Sequence, residues 1–264
     1  RPFLTTYHGI YNASSSLKRR YNAIMTRGDK IIANSEFTKS HIISEHGTDP
    51  EKIIVIPRGV DMKEFDLTVI SPARIEHQFK LWGVPIEYNL ILLPGRLTRW
   101  KGHHIAIEAM SHLPKNFALI CLGDPQGRDE YVAELQNLCA AYQLEDRVTF
   151  PGHSTDIPAA MACADIVISA STDPEAFGRI AAEAQAMQRP IVATAHGGAL
   201  ETVLDRETGF LVKPDDAKAL AAGIQKAIDW KGYNPEAARQ HIQDKFSKES
   251  LQRATLSVYR DLLL

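Results

Sequence analysis

Residues 165–188 read DIVISASTDPEAFGRIAAEAQAMQ, and this run decides the fold. It begins with an apolar, β-branched stretch, DIVISA, of the kind that forms a buried strand. It ends with an alanine-rich, helix-forming stretch from Arg179 to Gln188. Between them lies a loop that carries Glu175, Phe177 and Gly178. A strand, a glycine-bearing loop and a helix start make the unit with which α/β proteins hold phosphate. The first N–H groups of a helix are unpaired and carry partial positive charge. Glu175 falls in the loop and Glu183 inside the helix, with seven residues between them. The rise from Gly178 to Glu183 is roughly 7–8 Å at ~1.5 Å per residue, which is the reach from a diphosphate to a ribose. Two acceptors flanking an anion site suit a nucleotide-sugar, whose hydroxyls lie on both sides of its diphosphate. Glutamate is also a good helix former, and such pairs recur by chance. The rest of the chain weighs the two readings.

Working outward, strand-like and helix-like runs alternate. Strands are expected at roughly 89–94, 117–122, 147–150, 165–169, 190–194 and 210–212. Helices are expected at roughly 102–111, 128–142, 157–163, 179–188, 199–204 and 216–230, with two more helices from about 234 onward. This alternation predicts a parallel sheet covered on both faces. Upstream, KIIAN (30–34) and residues 53–56 read as short strands, and Ser35 as the N-cap of a helix ended by Gly47. A helix over 16–27 would carry Leu17, Tyr21, Ile24 and Met25 on one side. Residues 58–71 show no period and read as a linker. The fold class is therefore α/β. A complete doubly wound domain spans 71–245, a partial α/β domain spans 1–70, and a last helix over 246–264 returns to the first domain. Because the chain starts inside a strand, it reads as the remainder of a longer protein.

Composition narrows the function. The formal net charge of −2 argues against binding nucleic acid through bulk charge. The 3 cysteines (Cys121, Cys139, Cys163) are widely spaced and show no metal-ligand pattern, so they read as buried thiols in a reducing, cytoplasmic setting. No apolar run approaches the ~18 residues of a membrane span. The loop after the expected strand at 89–94 is GRLTRWKG (95–102), and it offers Arg96 and Lys101 beyond the carboxyl end of that strand, where open sheets bind ligands. Arg96 and Lys101 would neutralise a diphosphate by fork and point charge. No D-x-D pair is present to hold a metal, so the cations would take the metal's electrostatic part. His103 and His104 read as packing or exposed residues, His196 with Gly197 and Gly198 as either an approach to the donor or a tight turn, and Asp215 with Asp216 as a helix N-terminus. The basic residues Lys18, Arg19, Arg20, Arg27 and Lys30 form either a solvated face or a peripheral contact with anionic membrane.

Taken together, GRLTRWKG, PEAFGRIAAEA and PIVATAHGGALETV (190–203), with ANSEFTKSHI (33–42) and VIPRGVD (55–61) upstream, resemble the retaining glycosyltransferases of family 4. That family has the GT-B fold, two doubly wound domains facing across a cleft. TTYHGIY (5–11) and the basic helix after it are similar to bacterial transferases of lipopolysaccharide core and other surface glycans. The resemblance implies a nucleotide-diphosphate sugar donor, UDP- or GDP-linked, as substrate, a glycan or lipid-linked acceptor, and no further cofactor or metal. It implies that Arg96 and Lys101 contact the diphosphate and that Glu175 holds sugar hydroxyls. Phe177, Gly178 and Arg179 would offer backbone N–H groups, and Glu183 would accept from the ribose. His153 would line the base, and His8 would face the transferring sugar. Arg58 departs from the asparagine that many members carry there. The same fold hosts nucleotide-sugar epimerases, and a donor-binding but catalytically incomplete fragment is the other alternative.

Overall fold

A computed structural model describes residues 1–11 and 15–264. A first sheet contains β1 (Leu4–Tyr7), β2 (Lys30–Ala33) and β3 (Ile53–Val55), all parallel in the order β1-β2-β3. Between β1 and β2 lies α1 (Ser16–Asn22), and between β2 and β3 lies α2 (Glu36–His46). Ser35 caps α2 by accepting from the Thr38 N–H, and Gly47 ends it in a left-handed conformation, φ 63°. Helix α3 (Pro72–Trp82), opened by Ser71 and Pro72, leads into the second unit.

The second unit runs β4 (Asn89–Pro94), α4 (His103–Met110), β5 (Phe117–Leu122), α5 (Asp129–Ala141), β6 (Val148–Gly152), α6 (Ile157–Cys163), β7 (Ile166–Ser169), α7 (Arg179–Ala186), β8 (Ile191–Thr194), α8 (Ala199–Thr202), β9 (Gly209–Val212) and α9 (Ala217–Ile228). Helices α10 (Pro235–Phe246) and α11 (Lys248–Leu263) close the chain. The sheet order is β6-β5-β4-β7-β8-β9, all parallel. Every residue of β5 and β7 is buried, because helices cover both faces and leave no polar side. One core lies on each side of this sheet. From β4 the chain winds to β6 on one side, then returns to place β7 on the other. The switch point therefore falls between β4 and β7, where open α/β sheets bind ligands. The loops carrying GRLTRWKG and PEAFG leave these two neighbouring strands side by side.

Two sequence readings are corrected. Residues 58–71 are no unpacked linker: Val60, Met62, Phe65 and Ile70 are buried in the core of the second unit. Arg239 of α10 fastens this segment, donating to the carbonyls of Met62 and Phe65 and to the Asp66 carboxylate. The helix over 16–27 is α-helical only to Asn22 and finishes as a tighter turn over Ala23–Thr26. Its apolar stripe faces outward, with Leu17 79% and Tyr21 75% exposed. Helix α11 lays Val258, with Leu251 and Ala254, against Ile32 and Ile56 of the first unit. Phe246 joins the second unit's core. The last two helices thus tie both units together.

Candidate functional site

Lys101 and Glu175 meet at the switch point. The Lys101 Nζ donates to Glu175 Oε1 at 2.8 Å, with side chains only 11% and 15% exposed. Two neighbours add donors to the same oxygen, Ser171 Oγ at 2.6 Å and Ser169 Oγ at 3.3 Å. The three donors converge on Oε1 of a residue that lines the cavity described below. Burial alone would raise the Glu175 pKa. The Lys101 charge and the hydrogen bonds from Lys101, Ser171 and Ser169 outweigh it and hold the carboxyl below its ordinary range. Glu175 is thus a fixed, ionised acceptor.

The backbone that delivers Lys101 is a 3₁₀ turn, Arg99–Lys101, ended by Gly102 at φ 71°. A Cβ on Gly102 would lie 1.8 Å from the Ala170 carbonyl oxygen, so only glycine lets this turn press against the end of β7. Thr172 N–H donates to the Trp100 carbonyl at 2.8 Å and closes the gap between the two loops. The Lys101 ammonium also sits 4.4 Å from the centre of the Trp100 ring, a favourable cation–π distance.

A cavity of about 440 Å³ opens beside this pair. Arg96, Lys101, His153, Glu175, Arg179 and Glu183 all line it, together with Gly123, Asp124 and Gln126 from the loop after β5. Six of the sequence-derived site residues are therefore brought into one space. Glu183 stands one turn into α7, its side chain 13% exposed, with Arg179 Nε 3.2 Å from its Oε1. Burial pushes its pKa up to about 7. Arg179 pulls the other way, and Glu64 adds to the rise. The N-terminus of α7, capped by Gly178 at φ 79°, lies between the two glutamates. Its first N–H groups lack intrahelical partners. His153 sits where this cavity adjoins a second one of about 590 Å³, between α3 and the loop after β6.

The remaining residues singled out in the sequence lie outside this lining. The Phe177 side chain is 5% exposed and packs on Phe246, so Phe177 shapes the loop from the core side. His8 does not line the cavity. It sits after β1, and Arg58 Nη2 lies 2.9 Å from its Nδ1. A guanidinium only donates, so His8 Nδ1 is the acceptor and its proton rests on Nε2. Burial and the Arg58 charge both lower the His8 pKa. His103 is fully buried, with its ring 6.5 Å from that of Tyr131. Cys121, Cys139 and Cys163 are buried free thiols, all with raised pKa from burial. Asp216 caps α9.

Sequence reasoning missed Ser169 and Ser171, although two hydroxyls at a strand's carboxyl end beside an acidic loop were the available signal. It also missed the contact between the units. The Asn34 amide donates to the His8 carbonyl at 3.0 Å, Thr38 Oγ1 donates to Asn34 Oδ1 at 2.7 Å, and Ser35 Oγ donates to the Ala176 carbonyl. The first two bonds brace the start of α2 within the first unit, and the third seats it on the Glu175 loop.

With this geometry in place, comparison with known proteins is informative. The family model described as glycosyl transferases group 1 matches residues 74–245, and the model described as Glycosyltransferase Family 4 matches residues 1–64. A D-inositol 3-phosphate glycosyltransferase from Xylanimonas cellulosilytica is 32% identical over 89% of this chain, and the chain spans 58% of that relative's length. The crystal structure of a glycosyltransferase from Rickettsia africae superposes with a TM-score of 0.90 at 38% identity, covering 98% of this chain and 70% of that one. HepE from Anabaena, crystallised with UDP and glucose, gives a TM-score of 0.89 at 29% identity, covering 98% and 72%. The two parallel sheets, together with these neighbours, mark a GT-B fold.

Proposed function

The chain belongs to the group 1 glycosyl transferases, and from that premise we propose a retaining, metal-independent transfer of sugar from a nucleotide-diphosphate sugar, UDP- or GDP-linked, to a glycan or lipid-linked acceptor. One observation carries the reading: Glu175 and Glu183 flank the N-terminus of α7 in a cavity that also receives Arg96 and Lys101. The diphosphate would lie between Arg96, Lys101 and the α7 N–H groups, where charge on the leaving phosphate is stabilised without a metal. Glu183 would accept from the ribose. Glu175 would hold sugar hydroxyls through its other carboxylate oxygen.

Glu175 suits that anchoring role better than nucleophilic attack. Its charge is already shared among Lys101, Ser169 and Ser171, which lowers its nucleophilicity. Retention would then follow a front-face course. The leaving phosphate oxygen takes the acceptor proton as the glycosidic bond breaks, and the protein holds geometry and charge. Neutral His8 would present its Nε2–H toward the cleft.

A screen of UDP-, GDP- and ADP-sugars by calorimetry tests the donor. Micromolar binding of at least one supports the reading, and no binding to any removes it. Epimerised donor produced without acceptor would overturn transfer. For the acceptor side, α1 and the turn after it present Leu17, Tyr21 and Ile24 outward beside Lys18, Arg20 and Arg27. An amphipathic basic face of this kind supports peripheral contact with anionic lipid on the cytoplasmic side. Flotation with phosphatidylglycerol vesicles but not phosphatidylcholine vesicles is the expected result, and equal behaviour with both removes it.

A further inference from the structure

Glu201 lies in the second unit, on α8, and reaches across to the first. Its Oε2 accepts from the Glu36 N–H at 2.9 Å, and its Oε1 from the Phe37 N–H at 2.9 Å. These are the first two N–H groups of α2, which no intrahelical carbonyl can satisfy. The next donor, the Thr38 N–H, is taken by Ser35 Oγ at 2.9 Å. The first turn of α2 is thus capped by its own serine and by a carboxylate from the other unit. Charge-assisted bonds to a helix N-terminus are the strong kind.

The other end of this contact is the Glu175 loop. Helix α8 follows Gly197 and Gly198, whose backbone is packed on the Glu175 segment. The Gly198 N–H donates to the Glu175 carbonyl at 2.7 Å. A Cβ on Gly198 would lie 2.4 Å from the Phe177 backbone, so this approach needs glycine. From the facing side, Ser35 donates to the Ala176 carbonyl. The segment 175–177 is therefore held between α8 and the start of α2, and Glu201 joins the two holders.

We propose that Glu201 is a positioning residue: its carboxylate clasps the N-terminus of α2 and so fixes the first unit, with His8, against the Glu175 loop. This rests on the donor-site reading above only for its effect on turnover. Glu201 touches no cavity residue's reacting group, so its loss should leave nucleotide binding intact and disturb the geometry of transfer.

The test compares the full chain with Glu201→Ala and Glu201→Gln by amide hydrogen exchange, UDP calorimetry and UDP-glucose hydrolysis. In Glu201→Ala, the amides of Glu36 and Phe37 and of residues 176–178 should exchange faster, while β4 and β5 stay protected. The UDP Kd should stay within about twofold, and hydrolysis should fall roughly tenfold, as a small misplacement of reacting groups costs. Glu201→Gln keeps one acceptor oxygen and should recover part of both effects. Unchanged exchange at Glu36 and Phe37 would overturn the clasp. An equal fall in UDP affinity and turnover would overturn the positioning role. If the unaltered chain binds none of the UDP-, GDP- and ADP-sugars, the donor reading fails on that result alone. The exchange at Glu36 and Phe37 then decides the clasp by itself.

Discussion

Glu183→Gln offers a direct measure of how the cavity is built. Burial pushes the Glu183 pKa up to about 7, against an ordinary value of 4.5. The unfolded chain therefore releases this proton near pH 4.5, while the folded chain keeps it until about 7. Between those values the folded state binds more protons, so stability must fall as pH rises, and it levels off above 7. A shift of this size, at ~1.4 kcal/mol per pKa unit, corresponds to about 3 kcal/mol. The side chain is only 13% exposed, so solvent screening takes little of it away. Glutamine has the same shape and no proton to lose. Urea unfolding of both forms at pH 4 and pH 8 gives the comparison. Near pH 4 the two should match, because the carboxyl is neutral in both states. At pH 8 the glutamine form should be more stable by about 3 kcal/mol. If the two forms keep a constant difference across that range, Glu183 is not held protonated by burial, and the reasoning fails. A second readout follows from the proposed ribose contact. Hydrogen bonds donated to the carboxylate favour its charged form, so nucleotide binding near pH 7 should release a fraction of a proton. Calorimetry in buffers of different ionisation enthalpy detects that release, and its absence would separate Glu183 from the ribose.

Three further substitutions probe the surrounding structure. Lys101→Met leaves the buried Glu175 carboxylate without its cation and should cost about 3 kcal/mol in urea unfolding. Adding Glu175→Gln should recover most of that loss, and a cost under ~1 kcal/mol would show that the two serines suffice. Arg96 is exposed and lines the cavity, so Arg96→Ala should change stability by no more than ~0.5 kcal/mol while weakening UDP binding roughly tenfold. Unchanged affinity removes Arg96 from the diphosphate. Gly102→Ala forces a Cβ to within 1.8 Å of the Ala170 oxygen at φ 71°, and a loss above ~3 kcal/mol is expected. Thermal unfolding with an unaltered midpoint would refute the close approach of the two loops.

The parts of this fold that sequence could show are those with a period or a local signal. Buried parallel strands such as Leu90–Leu93 announce themselves as continuous apolar runs, and Ser35 and Asp216 announce helix starts. The pairing of Lys101 with Glu175 across 74 residues depended on one further fact, the adjacency of β4 and β7, which strand order supplies and sequence does not. Val60, Met62, Phe65 and Ile70 are core residues at spacings that fit neither a helix nor a strand. They pack because Arg239 and the last helices hold an irregular segment in place. Leu17 and Tyr21 show the converse, a helical stripe that stays exposed because no element of the described chain lies over it. Glu201 was invisible for a different reason: its partners are backbone N–H groups, which leave no trace in residue type.

The charges in the cavity follow a common plan. Each of its two glutamates is matched with a cation, Glu175 with Lys101 and Glu183 with Arg179. Such pairing positions the cations without using them up. An ammonium has three donors, and Glu175 takes one of those of Lys101. A guanidinium has five, and only the Nε of Arg179 faces Glu183. The rest remain available to oxygens of a ligand. Glu183 near pH 7 carries only part of its charge. Arg96, Lys101 and Arg179 therefore outweigh Glu175, Asp124 and the partly protonated Glu183, and the cavity is net attractive to a diphosphate. The same arithmetic explains how the site manages without a wholly cationic floor. A cavity lined by free lysines would hold any phosphate. One in which each carboxylate restrains a cation presents donors and acceptors at fixed places, so that a ligand must offer hydroxyls on both sides of its anion to satisfy all of them.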